Sequence, residues 1–292
     1  SAACWRPMRL FWPMEAELAR RCQPLLGTLV EVSVPAASAA AVDAAFAAIR
    51  HVHQHMSFHE QDSDLWRLRV QPAGASVAVD PQTVDVLRLA RELHSTSGGL
   101  FDVTVGRELV GSGFLPRAGI ADLRDFPGGM ADLEIVDEEH VRCQRPMLID
   151  LGGIAKGYAV DRAVEALKGH GLSEGLVNAG GDLRMFGGRP WPIALRQADG
   201  RIGRSVMLAD CALASSANLL DRRRWRGRDW TPHLDGSHRP VVAPGSIHVV
   251  ADRCSIADAM TKVAMSDPEL AGRLLAAHRG YLLAPSNIGN AA

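Results

Sequence analysis

Two glycine pairs, each placed directly after a short apolar run, constrain this chain more than any other feature of its sequence. Gly152-Gly153 follows the run at 147–151, and Gly180-Gly181 follows the run at 175–178. Adjacent glycines let the backbone turn sharply and bring its N–H groups close to a ligand. Both runs have the length and composition of buried strands. We therefore predict two strand-to-turn corners, which is where α/β proteins bind ligands.

The segment after the first corner predicts a helix whose first turn suits a phosphate group. Residues 155–167 have helical composition, and Gly169 is placed to end the helix with a left-handed residue. N–H groups at a helix start attract anions, and Lys156 would add a full positive charge there. Neither corner has the glycine pattern of a dinucleotide-binding fold or of a P-loop. The corners therefore suit a pyrophosphate, although a double glycine alone is more often a simple tight turn.

Strand and helix patterns alternate along the rest of the chain. Apolar alternation predicts further strands at 28–34, 193–195 and 247–250. Helices are predicted at 38–55, from Asp80-Pro81 to the residue before Gly98, at 255–265 and at 268–278. No Pro/Ser-rich linker or composition shift marks a boundary between domains. The sequence predicts one α/β domain at 23–285, with an N-terminal extension at 1–22 and a C-terminal tail at 286–292.

Composition and charge exclude several classes of function. The net charge is -1, so the chain lacks the broad positive field that nucleic-acid binding needs. Five cysteines, widely spaced and without a Cys-x-x-Cys pair, predict reduced and mostly buried thiols rather than disulfides or a zinc site. No apolar run predicts a transmembrane helix, and the first residues lack the continuous apolar stretch of an intact signal peptide. The sequence is compatible with either the cytoplasmic or the periplasmic face of the inner membrane.

Three further features each have a functional and a structural interpretation. Asp258 could bind Mg²⁺, which prefers carboxylate oxygens, or could close a capping box that begins at Ser255. His233 lies in a turn-like segment and could be an acid–base residue or a loop histidine with a local hydrogen bond. The arginine-rich stretch at 221–229 could bind an anion but fits a solvated loop better. Spacing alone leaves these alternatives open.

Taken in order, the landmarks of this sequence resemble those of the ApbE family, the FAD:protein FMN transferases. The most specific are Asp-Leu-Gly-Gly-Ile-Ala-Lys-Gly-Tyr-Ala-Val-Asp at 150–161 and Leu-Val-Asn-Ala-Gly-Gly-Asp at 176–182. The others are the segments 26–28, 56–58, 63–65 and 97–106, then His233 and the pair 257–258. The landmarks extend over nearly the whole chain. The resemblance implies a single ApbE-like, T-fold-like domain with mixed sheet layers and helices.

The resemblance also implies an FAD site, a Mg²⁺ site and a set of catalytic residues. It assigns His233, Lys156 and Asp258 to catalysis, and the Ala155 carbonyl, Asp258 and a main-chain oxygen near Thr261 to Mg²⁺. His233 would accept the proton of the attacking hydroxyl or orient the flavin. The residues expected to contact FAD are Leu26, Gly27, Thr28, Phe101, Asp102, Asp150, Gly152, Gly153, Lys156, Asn178, Gly180, Gly181 and Asp182.

The implied reaction is a Mg²⁺-assisted attack on FAD by a Ser or Thr hydroxyl of a flavin-accepting protein. The hydroxyl attacks the FMN-side phosphorus and AMP is released, so catalysis depends on positioning and on neutralising charge at the diphosphate. Two alternatives stay open. The chain could be a flavin-binding carrier or assembly protein without transferase activity. It could also be a metal-dependent FAD pyrophosphatase, in which water replaces the acceptor hydroxyl.

Lys262 is the main departure from the family pattern. The family has a threonine at this position, one helical turn after the metal-binding aspartate. An ammonium group cannot coordinate a cation. We therefore expect weaker metal binding, partial replacement of the metal by the ammonium, or a shifted metal geometry through Thr261. The segment from His233 to His238 departs from the family as well.

Overall fold

A seven-stranded antiparallel sheet forms the centre of the computed structural model. The structure describes residues 17–197, 199–218, 221–225, 227–243 and 245–283. The strands are β1 (Leu18–Leu25), β2 (Thr28–Pro35), β3 (Ser76–Ala78), β4 (Leu133–Ile135), β5 (His140–Cys143), β6 (Gly175–Ala179), β7 (Asp182–Phe186), β8 (Trp191–Arg196), β9 (Ile202–Leu208), β10 (Ala212–Ser216), β11 (Arg223–Trp225), β12 (Arg228–Trp230), β13 (Ile247–Ala251) and β14 (Tyr281–Leu282). The central sheet has the order β1-β2-β6-β7-β10-β13-β14, and the smaller sheets are β3-β5-β4, β8-β9 and β11-β12.

Helices cover one face of the central sheet, and the β8–β9 hairpin covers the other. The helices are α1 (Val42–Met56), α2 (Asp64–Val70), α3 (Pro81–Thr96), α4 (Gly106–Gly111), α5 (Ala155–Gly169), α6 (Cys254–Ser266) and α7 (Pro268–Leu275). Successive strand residues point to opposite faces, so Ala212 and Ala214 join the core under the helices. Leu213, between them, packs with Trp191 and Ile193 of the hairpin. These layers confirm the prediction of mixed sheet layers with helices in one domain.

Most of the predicted elements are present, but two predictions are wrong. The Asp80 carboxylate accepts a hydrogen bond from the Gln82 N–H and so caps α3 as predicted. The run at 147–151 is buried but belongs to no strand among the described residues. Its backbone instead bonds to the loop before α4, through the Asp150 N–H to the Val103 carbonyl at 2.8 Å. The left-handed residue after α5 is Gly171, with φ +81°, rather than Gly169.

The described residues also bear on the predicted boundaries and cysteines. The domain was predicted to begin at residue 23, and strand β1 begins before this residue and ends after it. All residues of β1 pair with β2. Residues 286–292 and Cys4 lie outside the described residues. Cys22, Cys143, Cys211 and Cys254 are free thiols, of which Cys143 and Cys254 are buried and Cys22 is exposed. Among the described residues, no helix combines the length and the apolarity that crossing a membrane requires.

Candidate active site

A cleft of about 830 Å³ opens beside the first glycine corner, at the start of α5. This volume lies within the range of about 300–1,000 Å³ that is typical of small-molecule sites. Of the residues predicted to contact FAD, those that line the cleft are Leu26, Gly27, Phe101, Asp102, Asp150, Gly152, Gly153 and Lys156. Ala155, His233 and Lys262 line it too. The structure therefore gathers most of the predicted site in one place.

The two-residue turn between β1 and β2 forms one wall of the cleft. Leu26 and Gly27 have φ +55° and +70°, and Leu25 pairs directly with Thr28. Such hairpin turns normally carry glycine or asparagine, because positive φ strains a residue with a larger side chain. Leu26 thus holds an apolar side chain at the cleft in spite of a backbone cost.

The second glycine corner has a structural role in the β6–β7 hairpin. Gly180 and Gly181 form its turn with φ +67° and +108°, and the Gly181 N–H donates to Asn178 Oδ1 at 2.9 Å. A Cβ atom at Gly180 would lie 2.3 Å from Thr28 Oγ1, so glycine is needed for this close approach. The residues predicted to contact FAD that do not line the cleft are Thr28, Asn178, Gly180, Gly181 and Asp182. The hairpin instead presents Asp182, the first residue of β7, to the first corner.

Lys156 joins the two corners to Asp258. Its ammonium group donates to Asp182 Oδ2 at 2.7 Å and lies 3.5 Å from Asp258 Oδ2. Both carboxylates are buried, and the Gly157 N–H donates to Asp258 Oδ2 at 3.2 Å. Lys156 at the first corner therefore bridges Asp182, which follows the second corner, and Asp258 of α6.

Lys156, Asp182 and Asp258 form a charged cluster, and Lys262 reaches this cluster from α6. Its ammonium group donates to Asp258 Oδ1 and Thr261 Oγ1 at 2.9 Å and to Ser216 Oγ at 3.0 Å. Its stem runs beside Gly153, where an added Cβ atom would lie 3.3 Å from the lysine Cε. The ammonium thus lies between two of the three residues that were predicted to bind Mg²⁺.

The residues at this position do not fit a magnesium ion. Mg²⁺ requires near-ideal octahedral coordination by oxygen. Both oxygens of Asp258 already have hydrogen-bond donors, and Thr261 Oγ1 bonds to Ser216 Oγ at 2.8 Å and to the Asp258 carbonyl at 2.7 Å. The Lys262 ammonium has no lone pair to offer and would repel a dication. Of the predicted ligands, the Asp258 carboxylate is therefore already occupied, and it faces the Lys262 ammonium group.

Asp258 is not a helix cap. The start of α6 is capped from α5, since the Cys254 and Ser255 N–H groups donate to the two oxygens of Asp161 at 2.9 Å. The capping-box interpretation of Asp258 is therefore wrong, because another carboxylate performs that task. Asp161 is the last residue of the motif at 150–161. Its capping role could not be predicted from the sequence, because the N–H groups that it accepts from lie 93 and 94 residues further along the chain.

The two lysines keep Asp258 ionised. Burial would raise the pKa of Asp258, but the charges of Lys156 and Lys262 lower it. Burial and the charge of Asp258 raise the pKa of Asp182. Burial would lower the pKa of Lys156, whereas the charges of Asp258 and Asp182 raise it. The result is a buried cluster in which two ammonium groups balance two carboxylates.

His233 presents a neutral imidazole to the cleft. Burial, followed by the charge of Lys262, lowers the pKa of His233 to about 3. Its Nδ1 is buried without a hydrogen-bond partner among the residues described. The turn predicted around it is present, since Leu234 forms a bridge with Pro240. The neutral ring lines the cleft, where it can contact a ligand.

Asp102 is held by a partner that the sequence did not reveal. Its side chain accepts hydrogen bonds from the Thr104 N–H and hydroxyl at 2.6 Å and from His238 Nε2 at 3.1 Å. The other ring nitrogen of His238 lies 3.4 Å from Glu108. Hydrogen bonds to these two carboxylates raise the pKa of His238 to about 9. No sequence signal separates His238 from its neighbours in the loop.

The arginine-rich stretch forms part of the cleft rim. Arg223 and Arg228 are exposed, as predicted, but they lie on the short β11–β12 hairpin rather than in a loop. The Arg223 guanidinium lies 4.7 Å from the centre of the Phe114 ring, and both residues line the cleft with Asp221.

Sequence comparison with known proteins identifies relatives that are FAD:protein FMN transferases. An FAD:protein FMN transferase of Rhodobacter capsulatus is 32% identical over 258 residues, which cover 80% of this chain. The chain spans about half of that relative, 49% of its length. An FAD:protein FMN transferase of Vibrio cholerae serotype O1 is 28% identical over 229 residues, which cover 73% of this chain and 69% of the relative.

Solved structures have the same fold. The ApbE protein of Thermotoga maritima superposes with a TM-score of 0.79 at 25% identity, covering 91% of this chain and 94% of that one. The flavin transferase ApbE of Vibrio cholerae gives a TM-score of 0.76 at 26% identity, covering 92% and 93%. The sequence model of the ApbE family matches residues 26–283. Because this match includes most of the chain, the protein belongs to the ApbE family.

Proposed function

We propose that this protein is an FAD:protein FMN transferase that moves FMN from FAD to a Ser or Thr hydroxyl of a partner protein and releases AMP. The observation that carries the proposal is the position of Lys156. It lies in the first turn of α5, lines the cleft, and is held by two buried carboxylates. The names of the curated relatives support the same activity.

The cleft offers separate surfaces for the two parts of FAD. Leu26 and the buried Phe101 provide apolar contacts for the flavin ring, and Asp102 provides a fixed hydrogen-bond acceptor. The first corner and Lys156 provide a charged surface for the diphosphate. Asp150 lies at the same corner, where its carboxylate accepts a hydrogen bond from the Gly152 N–H at 3.2 Å.

The transfer exchanges one P–O bond for another. The acceptor oxygen bonds to the FMN-side phosphorus, the bond from that phosphorus to the bridging oxygen breaks, and AMP leaves. The proton of the hydroxyl passes to solvent. Such a transition state is loose and depends on positioning and on positive charge near the phosphates, which Lys156 and Lys262 supply. The Mg²⁺ ion that the family resemblance implies has no step here, since Lys262 lies between Asp258 and Thr261.

His233 suits an orienting role better than that of a general base. A base works best when its pKa is near the working pH, and the pKa of His233 is lowered to about 3. A neutral imidazole that lines the cleft can still position the flavin or the acceptor. The role of His233 is therefore to align the reacting groups.

A labelling experiment tests the proposed function. The protein is incubated with FAD and an acceptor protein that carries an Asp-x-x-Ser/Thr-Gly-Ala segment. Covalent flavin is read by fluorescence in a denaturing gel, and AMP and FMN are measured by chromatography. We expect labelled acceptor and one AMP per label. The matched control is the same acceptor with its Ser or Thr replaced by Ala, which should remain unlabelled.

The alternatives give different products in this assay. Free FMN with AMP and no label would identify a pyrophosphatase. Bound FAD without AMP would identify a flavin carrier. Either result would overturn the transferase proposal, and a label on the alanine control would overturn the hydroxyl as the acceptor.

A further inference from the structure

We propose that the Lys262 ammonium group replaces the divalent cation in this protein, so that FAD binds and FMN is transferred without Mg²⁺. The inference rests on the proposed function and concerns the charge at the diphosphate end of the same cleft. It is carried by three observations: the hydrogen bonds of the ammonium, the space made for its stem, and the charge balance of the cluster.

The hydrogen bonds of Lys262 satisfy its ammonium group. An ammonium has three N–H donors, and oxygens of Asp258, Ser216 and Thr261 lie 2.9–3.0 Å from Nζ. These oxygens come from α6 and from the end of β10, so two elements hold the group. The side chain is only 19% exposed. The charge is therefore fixed at the cleft wall rather than free in solvent.

The first glycine corner leaves room for the lysine stem. An added Cβ atom at Gly153 would lie 3.3 Å from Cε and 3.5 Å from Cγ of Lys262. The stem therefore passes directly under the turn that borders the diphosphate surface. A charge at the end of this stem acts on a ligand that lies against the turn.

The ion-paired side chains of the cluster balance in charge without a metal. Asp150, a further carboxylate that feels the charge of both lysines, forms no salt bridge with them in the part of the chain that the structure describes. Lys156 and Lys262 carry two positive charges, and Asp182 and Asp258 carry two negative charges. With threonine at position 262, one positive charge is lost and a hydroxyl oxygen is gained. The cluster then has an excess negative charge and an additional oxygen ligand, both of which favour Mg²⁺. Lysine at this position removes both the excess negative charge and the additional oxygen ligand.

The test measures FAD binding in a chelator and in MgCl₂ by quenching of flavin fluorescence. Wild-type protein that has been dialysed against EDTA should bind FAD with the same Kd in EDTA and in millimolar MgCl₂. The variant Lys262→Thr should bind FAD weakly in EDTA and recover in MgCl₂. The expected recovery is about 5- to 150-fold, the usual range of coupling between two ligands.

Two controls separate charge from packing. Lys262→Met removes both the charge and the possible oxygen ligand, so its FAD affinity should fall equally in both buffers. Lys168→Thr makes the matched substitution at an exposed lysine of α5 outside the cleft lining and should behave as wild type. Circular dichroism reports whether each variant is folded. If Lys262→Thr does not fold, the wild-type comparison alone decides.

The possible results distinguish this inference from the proposed function. Wild-type binding that requires Mg²⁺ would overturn the role of Lys262, as would a Lys262→Thr variant that is unaffected by the chelator. Metal-independent FAD binding without transfer to the acceptor in EDTA or in MgCl₂ would overturn the transferase proposal alone. Transfer in MgCl₂ but not in EDTA would overturn the role of Lys262 and leave the transferase proposal intact. Failure to bind FAD in either buffer would overturn both.

Discussion

At the scale of single residues, Leu26 combines backbone strain with a position at the cleft. Its φ of +55° lies in the left-handed region, where a leucine costs about 1–2 kcal/mol. Strained residues of this kind cluster at ligand sites, because the surrounding structure maintains them for function. The half-buried side chain lines the cleft where the apolar part of FAD is proposed to bind.

We predict that Leu26→Asn makes the protein more stable and binds FAD less tightly. Asparagine tolerates positive φ, so the free energy of unfolding should rise by about 1 kcal/mol. Loss of the apolar contact should weaken FAD binding by about tenfold. Urea unfolding and flavin fluorescence titration measure the two effects. Leu29→Asn, at an exposed strand position outside the cleft, should leave FAD affinity unchanged. A stabilised variant with unaltered affinity would contradict the role of Leu26 in binding.

At the scale of elements, the junction of α5 and α6 positions the charged cluster. A Cβ atom at Gly157 would lie 2.3 Å from the Cys254 carbonyl oxygen, so the two helices pack closely there. Asp161 caps α6 by accepting from the first two N–H groups of that helix. Since α6 carries both Asp258 and Lys262, these α5 residues set where the ion pairs form.

We predict that Asp161→Asn destabilises the protein by about 1–3 kcal/mol. The substitution removes one of the two cap acceptors and the buried ion pair with Arg184 at 3.0 Å. Chemical unfolding measures the change. Glu165→Gln is the control, because Glu165 also pairs with Arg184, at 3.4 Å, but does not contact α6 through a hydrogen bond. Equal losses in the two variants would mean that the Arg184 pairing, and not the cap, causes the effect.

Periodicity predicted most elements, and its failures have a physical cause. The strand at 28–34 and the helix from Pro81 follow from local alternation and from the Asp80 cap. The run at 147–151 is as apolar as a strand, but a sequence pattern reports burial and not the hydrogen-bond partner. Its partner is an irregular loop, which no local pattern specifies.

At the scale of the whole molecule, the site depends on contacts between distant parts of the chain. The motif at 150–161 and the family resemblance predicted that Lys156, Asp258 and the first corner belong to the site. The sequence did not predict that Asp102 would meet His238, which is 136 residues away. It also placed the second corner against FAD, although only Asp182 of that segment joins the cluster. Such contacts depend on topology and on side-chain conformation, and neither can be read from spacing.

The ion pairs of His238 make global stability depend on pH. Its pKa is raised to about 9 from an ordinary value of 6.5 by hydrogen bonds to Asp102 and Glu108. The folded state therefore binds a proton more tightly than the unfolded chain does. This stabilisation is fully present below pH 6.5, falls as the pH rises, and is lost above about pH 9. His233 is neutral in the folded protein throughout this window, because its pKa is lowered to about 3, and any contribution it makes is shared by a variant that changes only His238.

We predict that the free energy of unfolding falls by about 1–3 kcal/mol more between pH 6.5 and 9 in the wild type than in His238→Asn. Asparagine suits this test, because it is neutral and tolerates the positive φ of 55° at position 238. Urea unfolding at several pH values across the window measures both proteins. Since His238 also fixes Asp102, the variant should bind FAD less tightly at pH 6.5, and this difference should shrink towards pH 9. Parallel stability curves for the two proteins would show that the ion pairs of His238 do not stabilise the fold, and the position of Asp102 would then depend on its hydrogen bonds from Thr104.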